Sequence, residues 1–586
     1  MKKIIFILPL LALLVSACSS DGNDPSNRPG SDDVHRSYLT VALYAPVSST
    51  RADDEDEKYI DGTPSESKVN NIRFFFFKET GNACMVFKQA ASGTYLSYID
   101  WTPLDSDVDD SGNPDITVEK IATATLGLNQ PANEELPSLV LAVVNPTPDI
   151  LVLNNPNLED IKELVNDYYT GLHDSNFLIT NSVYVGNVGD EITDITATPI
   201  VADENFGNPE DEESMKKMKP LNIFVERVLA RLDFSLNLKE ENNPSRVVNG
   251  STIYQVSSPS VDGNPASPVY AKLLGWNLTA TSNSSRAIKM INPEWNDVIF
   301  GGVSNPWSIS QYHRSYWAIN PPEVTYSYGD FNDAKAKDLP KPNETTGLME
   351  PVTVYLQENA ADYTSSLSYE GPEYPSCVII GAQLVDAGGN PMKLARWANR
   401  YYTQDNLLIE VAKVLDLHQK TTENGNVTFT PISPKYLKFV YLDNVPLPEG
   451  ETHESYYSYV QLNEEGEKIE WYNGNTPDAT LLSMEEVNTY IHNRVNYVLV
   501  WTEGYTYYYF DIRHLGSEGN AGYYGVVRNH LYQTNLTGIA GLGTPVFDPK
   551  EKIIPTIPSQ GDNILNVQVN VLQWRIVSRD YELTWP

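Results

Sequence analysis

Cys18 is the first residue whose neighbours indicate a specific chemistry. It follows Val15, Ser16 and Ala17, the order of a bacterial lipobox, in which small side chains give a peptidase access to the bond and the thiol takes the lipid. An apolar run over residues 4–15 precedes it. This run has ~12 residues where a membrane span needs roughly 20, so it predicts an export signal and not an anchor helix. We therefore expect residues 1–18 to be the signal peptide of a lipoprotein that carries palmitate on Cys18.

The bond between Arg51 and Ala52 is a second candidate for processing. Five acidic residues follow it at 53–57, and such a polar stretch is typical of exposed chain that proteases cut. An arginine-specific extracellular protease would release residues 19–51 as a propeptide. The plainer interpretation is an ordinary charged residue in a tether.

The propeptide contains a segment that alternates like a half-buried strand, residues 38–45. Leu39, Val41 and Leu43 fall on one face of it. A cut after Arg51 would therefore remove the lipid and the first strand together.

Residues that could support catalysis form no recognisable motif. The chain has neither an HExxH zinc motif nor a GxSxG nucleophile elbow. Paired carboxylates for glycoside hydrolysis stay open, because their spacing is set in space and not along the chain. We expect no catalytic residues, no cofactor and no metal. The eight histidines are scattered singly, at His35, His173, His313, His418, His453, His492, His514 and His530.

Two further patterns have a binding interpretation and a plainer one. The acidic run 105–115 resembles a calcium loop, but Val118 stands where a bidentate Glu is expected, so a solvated loop is favoured. Trp276, Trp317 and Trp397 could stack on sugars, although aromatic residues of β-sandwiches usually fill the core.

Cys84 and Cys377 both lie in apolar, strand-like runs without a histidine neighbour. A catalytic thiolate needs an electropositive setting, so we expect two buried free thiols. A disulfide between them stays an open alternative.

Composition excludes nucleic acid as a partner and indicates a β-rich surface protein. The 586 residues carry a formal net charge of −36, which leaves no basic face to neutralise phosphates. Tyr occurs 36 times, Gly 35 and Pro 39 times, and long helical periodicity is nearly absent. These features predict a mostly β fold of short strands joined by turns, with two or three domains.

Individual segments fit this fold class. The spacing of apolar residues over 157–166 predicts a short helix. The stretch 239–268, rich in Asn, Ser, Pro and Gly, is the best linker and divides the mature chain into domains 52–240 and 241–586. Apolar runs predict strands at 69–77, 139–146, 177–181, 224–234, 274–281, 376–385, 436–442, 497–502 and 505–512.

The C-terminal segment 563–576 alternates with a period of two. Leu565, Val567, Val569 and Val571 fall on one face, and Trp574 follows them. Prolines and a glycine upstream make an extended or hinged lead, so this strand could reach into another molecule. The plainer interpretation is a sheet member of its own domain.

Five segments follow one another along the chain: VERVLARLDF, GWNLTATSN, HRSYWA, GVVRNHLYQTNL and VNVLQW. Together they resemble the major fimbrial subunits of Bacteroidetes, especially the short-fimbria (Mfa1-like) fimbrillins. The resemblance implies two transthyretin-like β-sandwich domains in tandem, export as a lipoprotein, and cleavage at an arginine by an extracellular trypsin-like protease. It assigns the lipid to Cys18 and the cut to Arg51.

A removable first strand and an insertable last strand point to one mechanism. A sandwich without its first strand exposes an apolar groove and unpaired edges, a template for another chain's strand. Because groove and strand are different surfaces, the contact propagates as a filament. We therefore expect a non-enzymatic shaft subunit of a surface fimbria that supports adhesion or biofilm formation. Its expected partners are further copies of itself, anchor and tip subunits, the protease, and host or bacterial surface receptors.

Two alternatives stay open. A monomeric surface lipoprotein that binds glycans would begin at Cys18 and would not assemble. An anchor subunit would keep its lipid and lack the cut at Arg51, whereas a tip subunit would typically lack an insertable terminal strand.

Overall fold

The computed structural model describes most of the chain between residues 34 and 579. The described ranges are 34–46, 66, 68–102, 118–169, 176–188, 191–257, 260–263, 267–291, 318–359, 375–441, 457–514, 525–554, 565–573 and 576–579. Several predictions fall outside them and stay predictions. They concern Cys18, Arg51, Ala52, Trp317, Trp574 and the acidic run 105–115.

Strands dominate the described residues, which confirms the mostly β fold class. Four short helices accompany the strands of the first part: α1 (Pro148–Leu151), α2 (Leu158–Lys162), α3 (Ala202–Asn205) and α4 (Glu212–Lys217). The strands there are β1 (Val34–Pro46), β2 (Ile72–Phe77), β3 (Phe87–Lys88), β4 (Tyr95–Leu96), β5 (Tyr98–Trp101), β6 (Val118–Pro131), β7 (Leu139–Val144), β8 (Val165–Asn166), β9 (Ile179–Asn181), β10 (Tyr184–Val188), β11 (Glu191–Ile195), β12 (Thr198–Pro199), β13 (Phe206–Gly207) and β14 (Leu221–Arg227).

Nine of these strands build the first sandwich, in which β14 belongs to both layers. Its residues 221–224 pair with β1, and its residues 225–227 pair with β9. The strand order β13-β1-β14-β9-β7-β2-β5, with β6 on β1 and β12 on β7, therefore encloses one core. Successive side chains of β2 point to opposite faces of the sheet, and both faces are buried. Phe74 and Phe76 fill that core, while Phe75 and Phe77 pack on the other side with Ile150 of α1.

The chain leaves the first sandwich at Val228, whose N–H donates to the carbonyl of Leu178 (3.0 Å). The run 224–234 is therefore two strands, β14 and the next one, in two different sheets. The prediction of a single segment there was wrong, because the apolar pattern continues across the break. The following strands are β15 (Leu229–Leu236), β16 (Ser245–Val248), β17 (Ser251–Gln255), β18 (Tyr270–Thr279), β19 (Thr281–Ser282), β20 (Ser285–Arg286), β21 (Tyr326–Ser327), β22 (Lys341–Pro342), β23 (Met349–Glu350), β24 (Val352–Gln357) and β25 (Cys377–Val385).

Residues 394–501 form a smaller unit with its own core, which the sequence analysis did not separate. Its helices are α5 (Gln404–Val414) and α6 (Met484–Val495), and Ser483 and Glu486 form a capping box that begins α6. Leu407 and Val411 of α5 face this core, as their spacing requires. The strands of the unit are β26 (Leu394–Trp397), β27 (Arg400–Thr403), β28 (Leu417–Glu423), β29 (Asn426–Pro431), β30 (Leu437–Tyr441), β31 (Tyr457–Leu462), β32 (Trp471–Asn473), β33 (Thr480–Leu482) and β34 (Val498–Trp501).

The second sandwich is closed by the last strands of the chain. These are β35 (Tyr505–Asp511), β36 (His530–Ile539), β37 (Thr544–Pro545), β38 (Leu565–Gln573) and β39 (Ile576–Arg579). One layer has the order β24-β15-β36-β38-β39, and the other has the order β16-β17-β18-β25-β35-β37. Phe234, Trp276 and Tyr532 meet in the core between them. The boundary at residue 240 stays a prediction, and β15, which precedes it, pairs with β24 and β36 of this sandwich.

The structure shows the surroundings of two of the tryptophans and two of the cysteines that the sequence analysis singled out. Trp276 is 0 % exposed, and the Nε1–H of the partly buried Trp397 donates to the carbonyl of Val495 (2.7 Å). Neither indole offers a free platform for a sugar. Cys84 and Cys377 are buried free thiols, as predicted, so the disulfide alternative was wrong.

Candidate polymerisation site

β1 is an inner strand of the first sandwich and has a partner on each edge. It pairs antiparallel with β6 over its whole length, from Val34 opposite Pro131 to Pro46 opposite Val118. On its other edge it runs parallel to β14, with Val41 opposite Leu221. The segment that the sequence predicts to be removable is therefore hydrogen-bonded on both sides in this structure.

The side chains of β1 fill the core, as their alternation predicted. Leu39, Val41 and Leu43 are each 0 % exposed. They share a core with Phe74 of β2 and Ile223 of β14. Burying three such aliphatic side chains contributes about 5–9 kcal/mol in gross transfer free energy. Loss of β1 would uncover a large part of this core.

We call the space that β1 occupies the acceptor groove, with β6 and β14 as its walls. Neighbouring strands lie about 4.8 Å apart, so the groove is one strand wide. Its floor is apolar, because Leu126 and Leu128 of β6 and Ile223 of β14 are buried against β1. With β1 gone, both walls would present unpaired backbone groups, which a strand from another molecule can satisfy.

The chain is fixed again at Glu66, after the segment that contains Arg51. Glu66 is 0 % exposed, and its carboxylate accepts hydrogen bonds from the Arg231 guanidinium (3.0 Å) and the Tyr355 hydroxyl. Its backbone carbonyl accepts from Nε of Arg227 (2.8 Å). Burial and this hydrogen bond to Glu66 raise the pKa of Tyr355. A cut after Arg51 would therefore leave β1 without a covalent link to a firmly held Glu66.

Glu66 belongs to a polar seam between the two sandwiches, formed by Glu66, Arg227, Arg231, Glu358 and Arg528. Arg528 is 0 % exposed and donates to Glu358 (Nε to Oε2, 2.9 Å) and to the carbonyl of Arg286 (2.7 Å). A buried charge needs such partners, because an unpaired one costs several kcal/mol. The seam therefore fixes how the two sandwiches meet.

Sequence analysis missed this seam, although a signal was present. Arg227, Arg231 and Arg528 stand in strand-like runs beside apolar residues, and these runs are two of the segments that carry the family resemblance. A charge at such a position is usually paired. The partners, however, lie 165 residues away in the case of Arg231 and Glu66, so spacing could not identify them.

The predicted donor strand lies in the second sandwich of its own chain. β38 pairs antiparallel with β36, from Ile539 opposite Leu565 to His530 opposite Gln573. Among the described strands, its other edge pairs only with β39. β38 is thus a sheet member of its own chain in this structure, which is the plainer of the two interpretations of segment 563–576. Because β38 and β39 end the described sheet, the two can leave together by breaking one hydrogen-bonded ladder, that with β36.

The described part of the chain contains no helix long and apolar enough to cross a membrane. Nor does any cluster of three or more His, Cys, Asp or Glu side chains within those ranges have the arrangement of a metal site.

The C-terminal part of the chain is similar to a known protein family. Residues 500–580 match the model of the major fimbrial subunit protein type IV, fimbrillin, C-terminal. The resemblance found in the sequence is thus confirmed there, over β35, β36 and β38. No curated protein matches the chain.

Solved structures of low identity cover most of the chain. A candidate cell adhesion protein from Parabacteroides distasonis is 12% identical, covering 91% of this chain and 96% of its own, with a TM-score of 0.34. A fimbrilin from Porphyromonas gingivalis is 11% identical, covering 91% and 96%, with a TM-score of 0.33. The tip fimbrial protein Mfa3 of the same organism, truncated at its C-terminus, is 10% identical, covering 93% and 100%, with a TM-score of 0.28.

Proposed function

We propose, from the fimbrillin match over residues 500–580, that the chain is a structural shaft subunit of a surface fimbria. It is exported as a lipoprotein through Cys18, cut between Arg51 and Ala52, and polymerised head to tail. In this mechanism the strand 563–576 of one subunit enters the acceptor groove of the next. The observation that carries the proposal is the double pairing of β1, a core strand that ends at Pro46, before Arg51. In the proposed mechanism the donor strand takes its place after the cut.

The energetics favour a long-lived joint. Leu39, Val41 and Leu43 leave an apolar floor, and the incoming strand offers four aliphatic residues at the same spacing of two. Their burial supplies about 6–12 kcal/mol in gross terms, before backbone hydrogen bonds and before the cost of association. Release of β38 from β36 offsets part of this gain, because those ladder bonds must first break.

Blocking the cut tests the first step. In Arg51→Ala, β1 stays linked to the chain and keeps the groove filled, so we expect a lipidated monomer and no filaments by electron microscopy. Arg36→Ala is the matched control, since Arg36 is an exposed arginine on β1 itself, and it should mature and assemble like the wild type. Filaments built from Arg51→Ala subunits that still contain residues 38–45 would contradict the proposal.

Separating donor from acceptor tests the second step. A chain truncated after Gln560 and cut at Arg51 keeps the groove but has no donor, so it should stay monomeric. The truncation also exposes the edge of β36, so the matched control is the equally truncated Arg51→Ala form, whose groove is occupied. A synthetic peptide of residues 561–586 should bind the cut chain with one more copy than it binds this control. Equal binding to both forms, or filaments from the truncated chain, would contradict donor-strand exchange.

The proposal also assigns partners and leaves one alternative. Anchor and tip subunits would close the two ends of the filament, and an arginine-specific extracellular protease would make the cut. A glycan-binding monomeric lipoprotein is less well supported, because Trp276 and Trp397 are used in packing. That alternative predicts mature protein that still begins at Cys18, which N-terminal sequencing distinguishes.

A further inference from the structure

A polar pocket opens between the two sandwiches, away from the acceptor groove. Its volume is about 280 Å³, close to the lower end of small-molecule pockets, roughly 300 Å³. The loop after β8 lines it from the first sandwich, and β18, β24 and the segment around Lys337 line it from the second. The edge of β24, which pairs only with β15 among the described strands, forms one side of it, and the other segments close it into a pocket.

One acceptor in this pocket is held in place by a buried neighbour. Oδ1 of Asp167 accepts a hydrogen bond from Nε2 of Gln357 (3.1 Å) and from the backbone N–H of Tyr169 (3.0 Å). Gln357 is buried, and its Oε1 in turn accepts from the N–H of Tyr168 (3.2 Å). The orientation of the Asp167 carboxylate is thus fixed before any ligand arrives, which lowers the entropic cost of binding.

Other lining groups have unused hydrogen-bonding capacity among the described contacts. Neither the amide of Asn277 nor the ammonium of Lys337 makes a side-chain hydrogen bond or ion pair in the described structure. Lys337 is nevertheless well placed, because its backbone N–H and C=O exchange bonds with Trp276 (3.1 and 3.2 Å). The ring of Tyr169 stands at the rim, 43 % exposed.

We infer that this pocket binds a neutral hexose unit. Each sugar hydroxyl both donates and accepts, and the lining offers an acceptor in Asp167, a donor in Lys337 and both in Asn277. The charges of Asp167 and Lys337 cancel, so neither an anion nor a cation is favoured. The partly exposed Tyr169 ring provides surface for the C–H face of a sugar. An extended peptide on the edge of β24 is the competing occupant.

Saturation-transfer NMR and calorimetry on the purified full-length chain test the inference. The probes are free glucose, galactose and mannose, polysaccharides of the same sugars, an anionic sugar acid, and an extended neutral tetrapeptide. We expect a free hexose to bind one to one with a Kd of roughly 1 mM. Tighter binding of the polysaccharide would identify a glycan as the source of the unit, and equal binding would identify the free sugar.

Two substitutions locate the binding. Asp167→Asn and Lys337→Met keep side-chain length but remove a charged hydrogen-bonding group, so each should weaken hexose binding roughly tenfold or more. Asp203→Asn and Lys239→Met are the matched controls, since both residues are exposed and lie outside the pocket, and they should bind like the wild type. Should Asp167→Asn destabilise the fold through the loss of its bond to Gln357, as judged by thermal unfolding, Tyr169→Ala at the rim replaces it and should also weaken binding.

Three results would overturn the inference: no hexose binding up to ~20 mM, binding of only the sugar acid or the peptide, or hexose binding that survives all pocket substitutions. Filament assembly does not enter this test, so its outcome is independent of the proposed polymerisation.

Discussion

Leu39→Ala tests whether β1 is a core strand before the cut and absent after it. Leu39 is 0 % exposed and lies opposite Leu126 of β6 and Phe206 of β13. Truncating a leucine at such a site costs about 2–5 kcal/mol, from lost transfer free energy and from the cavity. We expect that loss in the uncut Arg51→Ala form. In assembled mature protein we expect no loss, because residue 39 is no longer present.

Hydrogen–deuterium exchange of the backbone amides in β6 and β14 measures this loss locally. Large chains with several cores do not unfold in a single transition, whereas amide protection reports the opening of one region. A cost of 2–5 kcal/mol corresponds to a protection factor that falls roughly 30- to 4000-fold. β6 and β14 are the suitable reporters, because both are hydrogen-bonded to β1.

Two control variants make the result interpretable. Thr40→Ala removes a partly exposed hydroxyl that lies 3.2 Å from Oγ1 of Thr125, and it should cost only about 1 kcal/mol. Leu126→Ala alters the wall of the acceptor groove, so it should weaken the uncut form and the filament alike. If Leu39→Ala lowered protection equally in the uncut form and in filaments, β1 would still be in place after assembly and the reasoning would fail. Unchanged amide protection in the uncut Leu39→Ala form would also refute the reasoning, since β1 would then not be part of the core.

Other predictions concern the seam and the buried thiol. Glu358→Ala leaves the Arg528 guanidinium without its carboxylate, so we expect a loss of about 3–5 kcal/mol, measured as a lower thermal midpoint. Glu66→Ala releases the chain after the cut, so limited proteolysis near residue 68 should become faster. Burial raises the pKa of the Cys84 thiol to about 12, so iodoacetamide at neutral pH should modify it only after denaturation. The thiol has this raised pKa only in the folded state, so the unfolded chain loses the proton at a lower pH than the folded chain does. The contribution of Cys84 to stability is therefore complete below its ordinary pKa near 9 and is lost as the pH rises to about 12. Urea midpoints of wild type and Cys84→Ala should therefore converge or cross over that range.

The sequence predicted those elements whose signal is local. Strands β7 and β25 appear as apolar runs with clear ends, and the alternation of Leu39, Val41 and Leu43 gave the buried face of β1 correctly. The short helix α2 was found from its apolar spacing, although it is only Leu158–Lys162. Such patterns depend on neighbours within one element, so a single sequence is sufficient to find them.

The sequence could not predict features that depend on residues far away along the chain. The run 224–234 is equally apolar on both sides of Val228, and only the bond to Leu178 shows where the chain changes sandwiches. Tyr355 and Glu66 are 289 residues apart, and the pairing of β38 with β36 is likewise a choice of partner, not of strand type. The same alternating segment can pair within its own chain or with a neighbour, and its sequence is identical in both cases.

The pairing of β1 also restricts the direction of any strand that replaces it. β1 runs parallel to β14 and antiparallel to β6. A replacement strand that runs the same way restores both hydrogen-bonding patterns, whereas the reverse direction would have to form the opposite pattern on each wall. Leu39, Val41 and Leu43 also fix which positions point into the core, since a shift of one residue would turn the apolar face to solvent. In the proposed exchange, direction and register together would give every joint the same polarity. Because β38 and the acceptor groove lie on different sandwiches, such joints would link the subunits head to tail.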